Sequence, residues 1–91
     1  MKIYISGSIS ASNDYEIKFK EKEKLLKQLG HIVLNPVKNI GFTYREYIDM
    51  ALAELSKCEC IYMLKGWEHS KGAQLEKMYA ETVGLIIMFE E

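Results

Sequence analysis

Ser70, Gly72 and Glu76 combine a helix-capping hydroxyl, a bare backbone and a carboxylate within two helical turns. They belong to the segment Gly66-Trp67-Glu68-His69-Ser70-Lys71-Gly72-Ala73-Gln74-Leu75-Glu76, which follows the apolar run Ile61-Tyr62-Met63-Leu64 and leads into a helical pattern. Backbone N–H groups at a helix start can hold an anion. A carboxylate beside that anion can act on whatever the anion is attached to. Ser70 stands where an N-cap belongs, and capping alone accounts for it. Gly72 has no helical benefit, since Gly costs about 1 kcal/mol relative to Ala inside a helix; close approach of a ligand to the backbone gives it a reason. Glu76 shares a helix face with the small residues Ala73 and Ala80, and with Val83. Either that face lies against a sheet and buries the carboxylate, or Leu75, Met78 and Tyr79 form the buried face and Glu76 sits at its edge. Periodicity leaves both open.

A second polar cluster, Ser6-Gly7-Ser8-Ile9-Ser10, follows the first apolar run. Its hydroxyls and N–H groups can cradle a phosphate or a sugar, or form an ordinary turn. It has neither the Gly-Lys-Ser/Thr of a Walker loop nor the Gly-x-Gly-x-x-Gly of a dinucleotide site. Tyr4 shares a strand face with Lys2 and Ser6, so its hydroxyl either meets a carboxylate or is satisfied within the core. Trp67 either stacks on a base or closes its loop. His31 and His69 read as surface or strand-edge residues. Cys58 and Cys60, one residue apart, are expected on one face of a strand as reduced, buried thiols, too few for a metal site or a disulfide framework.

These residues are positioned by alternating elements. Residues 2–6 form a short strand. Residues 14–29 carry Tyr15, Phe19, Leu26 and Leu29 at helical spacing, with Asn13 and Glu16 as a capping box and Gly30 as the stop. Residues 31–34 form a second strand ended by Asn35-Pro36, and residues 37–42 a loop. Thr43 with Glu46 caps a helix whose apolar stripe runs through Tyr44, Tyr47, Ile48, Ala51, Leu52 and Leu55. Residues 59–64 form a third strand, 70–83 a third helix stopped by Gly84, and 85–89 a fourth strand. The order βαβαβαβ predicts an α/β fold: a three-layer, flavodoxin-like or Rossmann-like parallel sheet of four strands in the order 2-1-3-4. Ligands of such sheets bind beyond the carboxyl ends of the strands at the switch point. There the loops after strands 1 and 3 converge, with Asn35 lining one side.

The sequence has 91 residues, 48% of them hydrophobic and 27% charged, with a net charge of −1. That size and balance predict one globular domain spanning residues 1–91. They argue against a partner that is a nucleic-acid polymer. No apolar run reaches the roughly 18–20 residues of a membrane helix, and residues 1–6 are too short and alternating for a signal peptide. The expectation is a cytoplasmic protein with no membrane partner.

Four stretches carry a resemblance: Lys2-Ile3-Tyr4-Ile5-Ser6-Gly7, Asn35-Pro36, Cys58-Glu59-Cys60-Ile61-Tyr62-Met63-Leu64, and Gly66-Trp67-x-x-Ser70-x-Gly72-Ala73-x-x-Glu76. Over nearly its whole length the chain resembles the DUF4406 family, related to the nucleoside 2-deoxyribosyltransferases. The superfamily cleaves the N-glycosidic bond of deoxynucleosides or their 5′-monophosphates. The resemblance implies that Glu76 is the nucleophile, that Tyr4 orients it, and that Ser70 holds a phosphate. The turn Gly7-Ser8-Ile9 is similar to that of the branch that hydrolyses 2′-deoxynucleoside 5′-monophosphates. Two positions depart from the pattern. Ala51 stands where the superfamily usually has a helix-2 Asp near the sugar and base, and Asp49 lies about 200° round the helix from it. Glu59 replaces the usual Asp at the start of strand 3.

The activity implied is hydrolysis or base transfer on a deoxynucleoside or its monophosphate. Glu76 attacks C1′, and Ser6, Gly7, Ser8, Ile9, Ser10, Asn35, Trp67, Ser70, Gly72 and Ala73 bind the substrate or its phosphate. No metal or organic cofactor is expected. Relatives assemble with themselves, so a homodimer or larger homo-oligomer is expected. The alternative is a nucleotide-binding or sequestering protein with little or no turnover, which Ala51 favours.

Overall fold

The computed structural model describes residues 1–9, 14–38 and 41–91. Four strands, β1 (Lys2–Ser6), β2 (Ile32–Leu34), β3 (Cys60–Met63) and β4 (Ile86–Phe89), alternate with helices α1 (Tyr15–Gln28), α2 (Tyr44–Leu55) and α3 (Lys71–Val83). Short 3₁₀ turns cover Pro36–Lys38 and Trp67–His69. All strand pairs are parallel, in the order β2-β1-β3-β4, with Ile3 opposite both Val33 and Cys60, and Cys60 opposite Ile86. This is the expected α/β architecture and strand order.

Strand alternation divides the core. On one face Tyr4, Ile61 and Met63 pack under Ala51 and Leu55 of α2 and Ala73 and Ala80 of α3. On the other, Ile3, Ile5 and Cys60 pack under Phe19 and Leu26 of α1. Each fully buried aliphatic side chain contributes about 1.5–3 kcal/mol. Cys58 and Cys60 are free and buried, but they occupy opposite faces. Cys58 precedes β3, in the turn after α2, and joins the Tyr4 cluster, whereas Cys60 joins the Ile3 cluster. The shared face expected from their spacing fails because only Cys60 is on the strand.

The helix ends follow their caps. Thr43 and Glu46 form a reciprocal capping box at α2, with Glu46 Oε1 accepting from the Thr43 N–H at 2.8 Å and Thr43 Oγ1 accepting from the Glu46 N–H at 3.2 Å. These bonds also hold the Glu46 carboxyl below the usual range. Ser70 Oγ accepts from the Ala73 N–H at 3.2 Å and starts α3, which ends at Gly84 with φ 83°. At α1 the cap position is Asp14, without a side-chain cap bond; Asn13 lies outside the described residues. Leu29 caps the end of α1 and is exposed. No helix among the described residues is long and apolar enough to cross a membrane.

Candidate active site

α3 turns its small-residue face to the sheet. Ala73, Glu76 and Ala80 are buried, while Leu75 and Met78 are 40% and 63% exposed. Val83, on the last turn, has left the sheet and is exposed. Alanines above and below let the helix pack closely over β3 and β4, from where the Glu76 carboxylate reaches two residues of neighbouring β1. Tyr4 Oη donates to Glu76 Oε2 at 2.8 Å, and Ser6 Oγ donates to Oε1 at 2.5 Å. Tyr4 and Ser6 are two apart on β1 and point to the same side. One oxygen of the carboxylate is therefore fixed by each, and the group cannot rotate.

Burial pushes the Glu76 carboxyl above the ordinary range; the bonds from Ser6 and Tyr4 pull it back, and the nearby charge of Glu54 adds to the rise. Burial and the Glu76 charge raise the Tyr4 phenol far above its ordinary value, so it stays protonated and donates.

A cavity of about 410 Å³ opens over this carboxylate. Gly7 and Ile9 from the loop after β1, and Ser70, Gly72 and Ala73 from the start of α3, form part of its wall. That start leaves N–H groups without intrahelical partners, a site suited to an anion. A Cβ on Gly72 would stand 3.5 Å from Tyr44 Oη and 3.7 Å from Ile48 Cδ1, so Gly72 keeps the gap between α2 and α3 open. Gly7 is required for a different reason: a Cβ there would come within 3.0 Å of Leu64 Cβ. Its absence of a side chain serves the packing of the β1 and β3 ends.

The expected residues Tyr4, Ser6, Gly7, Ile9, Ser70, Gly72, Ala73 and Glu76 are thus brought together. Ser6, expected to bind substrate, is instead fully buried and bonded to Glu76 behind the cavity wall, and three others are not at that wall either. Asn35 donates through Nδ2 to Glu23 Oε1 and accepts from the Val37 N–H, both at 3.0 Å, which commits it to α1 and its own turn. Trp67 packs against Phe89 and beneath the Lys77 ammonium, because left-handed Gly66 and the 3₁₀ turn carry it over β4. Ser8 points to a smaller cavity beside Lys18, Lys65 and His69, where its Oγ is buried and unpartnered. Ser10 lies outside the described residues.

Apart from Ala51, which the resemblance places near the sugar and base, the opposite wall comes from residues that motif reading missed. Tyr44, Tyr47, Ile48, Ala51 and Glu54 of α2 line it, with Tyr15, Pro36 and Val37. Most of these α2 residues belong to the apolar stripe, whose first half faces the cavity and whose second half faces the core. Glu54, one turn beyond Ala51 and two beyond Tyr47, is a carboxylate on that stripe, and this was the available signal. Among the described residues lining the cavity none is Lys or Arg, and no group of three or more potential metal ligands occurs among the described residues.

The same fold occurs in a 2-desoxiribosyltransferase from Leishmania mexicana, with a TM-score of 0.79 at 20% identity over 97% of this chain. This chain spans 62% of that protein's length. It occurs again in the CMP N-glycosidase BcmB of Clostridium botulinum, with a TM-score of 0.72 at 17% identity, covering 98% of this chain and 70% of the other. No curated protein matches. The model of the family described as "Domain of unknown function (DUF4406)" matches residues 1–89, and the chain belongs to that family.

Proposed function

We propose that this protein cleaves the N-glycosidic bond of a deoxynucleoside or deoxynucleoside 5′-monophosphate, by hydrolysis or base transfer, with Glu76 as nucleophile. The observation that carries this reading is the buried Glu76 carboxylate, fixed by Tyr4 and Ser6 at a cavity sized for a small molecule. Glu76 attacks C1′ as the base departs through an oxocarbenium-like transition state. A covalent glycosyl-enzyme forms, and water or a second base resolves it. Tyr4 and Ser6 act as positioning residues that hold the carboxylate at one angle. A 5′-phosphate rests on Ser70 and the N–H groups at the start of α3, which supply neutral donors. The Tyr44 and Tyr47 rings give the base apolar faces. The reaction uses no cofactor. The two fold neighbours, named for a deoxyribosyl transfer and for CMP N-glycoside cleavage, support this class of chemistry.

The test is incubation with the four common deoxynucleosides and their 5′-monophosphates, with free base read by chromatography. Base release by the wild type, lost at least 1,000-fold in Glu76→Gln, is expected. Equal release by Glu76→Gln would remove Glu76 from the chemistry.

Ala51 favours a second reading, a nucleotide-binding or sequestering protein, because a methyl group stands on the cavity wall where the resemblance implies an Asp near the sugar and base. Binding of the same ligands by calorimetry, without base release, would select it. The proposal also has residues 1–91 acting as one cytoplasmic domain in a homodimer or larger assembly, which light scattering measures.

A further inference from the structure

Breaking a nucleoside's C1′–N bond needs more than a nucleophile. A neutral base that leaves with the bonding electron pair becomes an anion unless it gains a proton as the bond breaks. Glycoside cleavage generally solves this with two carboxyl groups, one at the anomeric carbon and one at the leaving group. Glu76 is held by Tyr4 and Ser6 for the first role. Phenols are far weaker acids than carboxyls, so the tyrosines of the cavity are poor donors. Among the described cavity residues, the second carboxyl is Glu54.

The geometry of α2 aims Glu54 into the site. Helical side chains lean toward the helix N-terminus, so a residue covers the turn before its own Cα. Glu54 is one turn beyond Ala51 on the same face of α2, and both line the cavity. Glu54 is half-buried and shares the cavity wall with Ala51 and Ile48. Glu54 lies near groups on three elements: Glu76 on α3, Tyr4 on β1, and Cys58 in the turn before β3, whose Sγ donates to the Glu54 main-chain oxygen at 3.4 Å.

We propose that Glu54 is the acid that protonates the departing base. The inference rests on the N-glycosidase reading above. Glu76 forms the bond to C1′; the C1′–N electron pair goes to the base; the Glu54 carboxylic acid gives its proton to a ring nitrogen or exocyclic oxygen of that base and becomes a carboxylate. In hydrolysis the Glu54 carboxylate then takes a proton from water as the water oxygen attacks C1′. This frees Glu76 and restores the acid.

The experiment compares wild type, Glu54→Gln and Glu76→Gln on substrates whose bases differ in their need for a proton. The pairs are 2′-deoxyguanosine with its N7-methyl derivative, and 2′-deoxyuridine with its 5-nitro derivative, each as nucleoside and 5′-monophosphate. An N7-methylated purine leaves as a neutral molecule, and 5-nitrouracil leaves as a stabilised anion. Glu54→Gln keeps the side-chain volume, and an unchanged Tm checks that it folds. The expected result is a loss of roughly 100-fold or more in kcat for Glu54→Gln on the ordinary substrates. On the activated ones kcat/KM, which reports base departure and not the later attack of water, should stay within a few-fold of wild type, while Glu76→Gln loses both. Equal loss on both kinds of substrate, or loss on neither, overturns the role of Glu54 and leaves the N-glycosidase reading intact. A wild type that releases base from none of the substrates overturns both.

Discussion

Glu76 is a carboxylate under opposed pressures. Burial raises its pKa and two hydroxyl donors lower it. As a nucleophile it must be ionised, so the acid limb of kcat/KM should lie above the ordinary Glu value near 4.3. Tyr4→Phe removes a donor that favours the charged form. That limb should then move to higher pH, with kcat falling about 10–100-fold at neutral pH. A limb that stays in place in Tyr4→Phe would mean the phenol does not tune Glu76. The sequence showed that Tyr4 and Ser6 share a strand face and that Glu76 sits among alanines. It did not decide whether Glu76 turned inward, because Leu75, Met78 and Tyr79 make an equally regular stripe. Close helix–sheet approach decided it: only the face of Ala73 and Ala80 is small enough to bring α3 down onto β3 and β4, from where Glu76 reaches across to β1.

At the scale of elements, alternation and caps made the fold legible. The capping box of α2, the Ser70 cap of α3 and the stop at Gly84 lie where the residue types predict. What the site took from loops was less legible. Asn35 and Trp67 follow strands whose ends converge, yet local hydrogen bonds and a left-handed glycine aim them elsewhere. The α2 stripe was also ambiguous, since periodicity reports which face is apolar and not whether core or cavity covers it. Gly72 links α2 and α3, and a methyl there would make ordinary contacts with Tyr44 and Ile48. Gly72→Ala should therefore raise Tm, with a gain of up to about 1 kcal/mol from helix propensity. Its methyl should at the same time raise KM about tenfold with kcat nearly unchanged. Calorimetric melting and steady-state kinetics on the same variant check both. A variant that is less stable, or that binds as well as wild type, would show that Gly72 does not hold the gap open for substrate.

For the whole molecule, the site has a stability cost. The folded-state pKa of Glu76 lies above its unfolded value, so its contribution is favourable below the unfolded pKa and is lost as pH rises through the folded one. At neutral pH the buried charge therefore destabilises the fold. Glu76→Gln should melt higher than wild type at pH 7–8, by roughly 4–8 °C per kcal/mol for a chain of this size. The difference should shrink toward pH 4, which melting curves across pH measure. A variant less stable than wild type at neutral pH would mean that the bonds from Tyr4 and Ser6 outweigh desolvation. Gaining stability while losing turnover is the behaviour expected of a functional group rather than a structural one.

Whether Glu76 carries the glycosyl group is read by intact-protein mass spectrometry during turnover of a slow 2′-fluoro deoxynucleoside or its 5′-monophosphate, with peptide mapping of any adduct. A single glycosyl unit is expected on the peptide carrying Glu76, absent in Glu76→Gln. Base release with no adduct on Glu76, or an adduct on another residue, would contradict Glu76 as nucleophile.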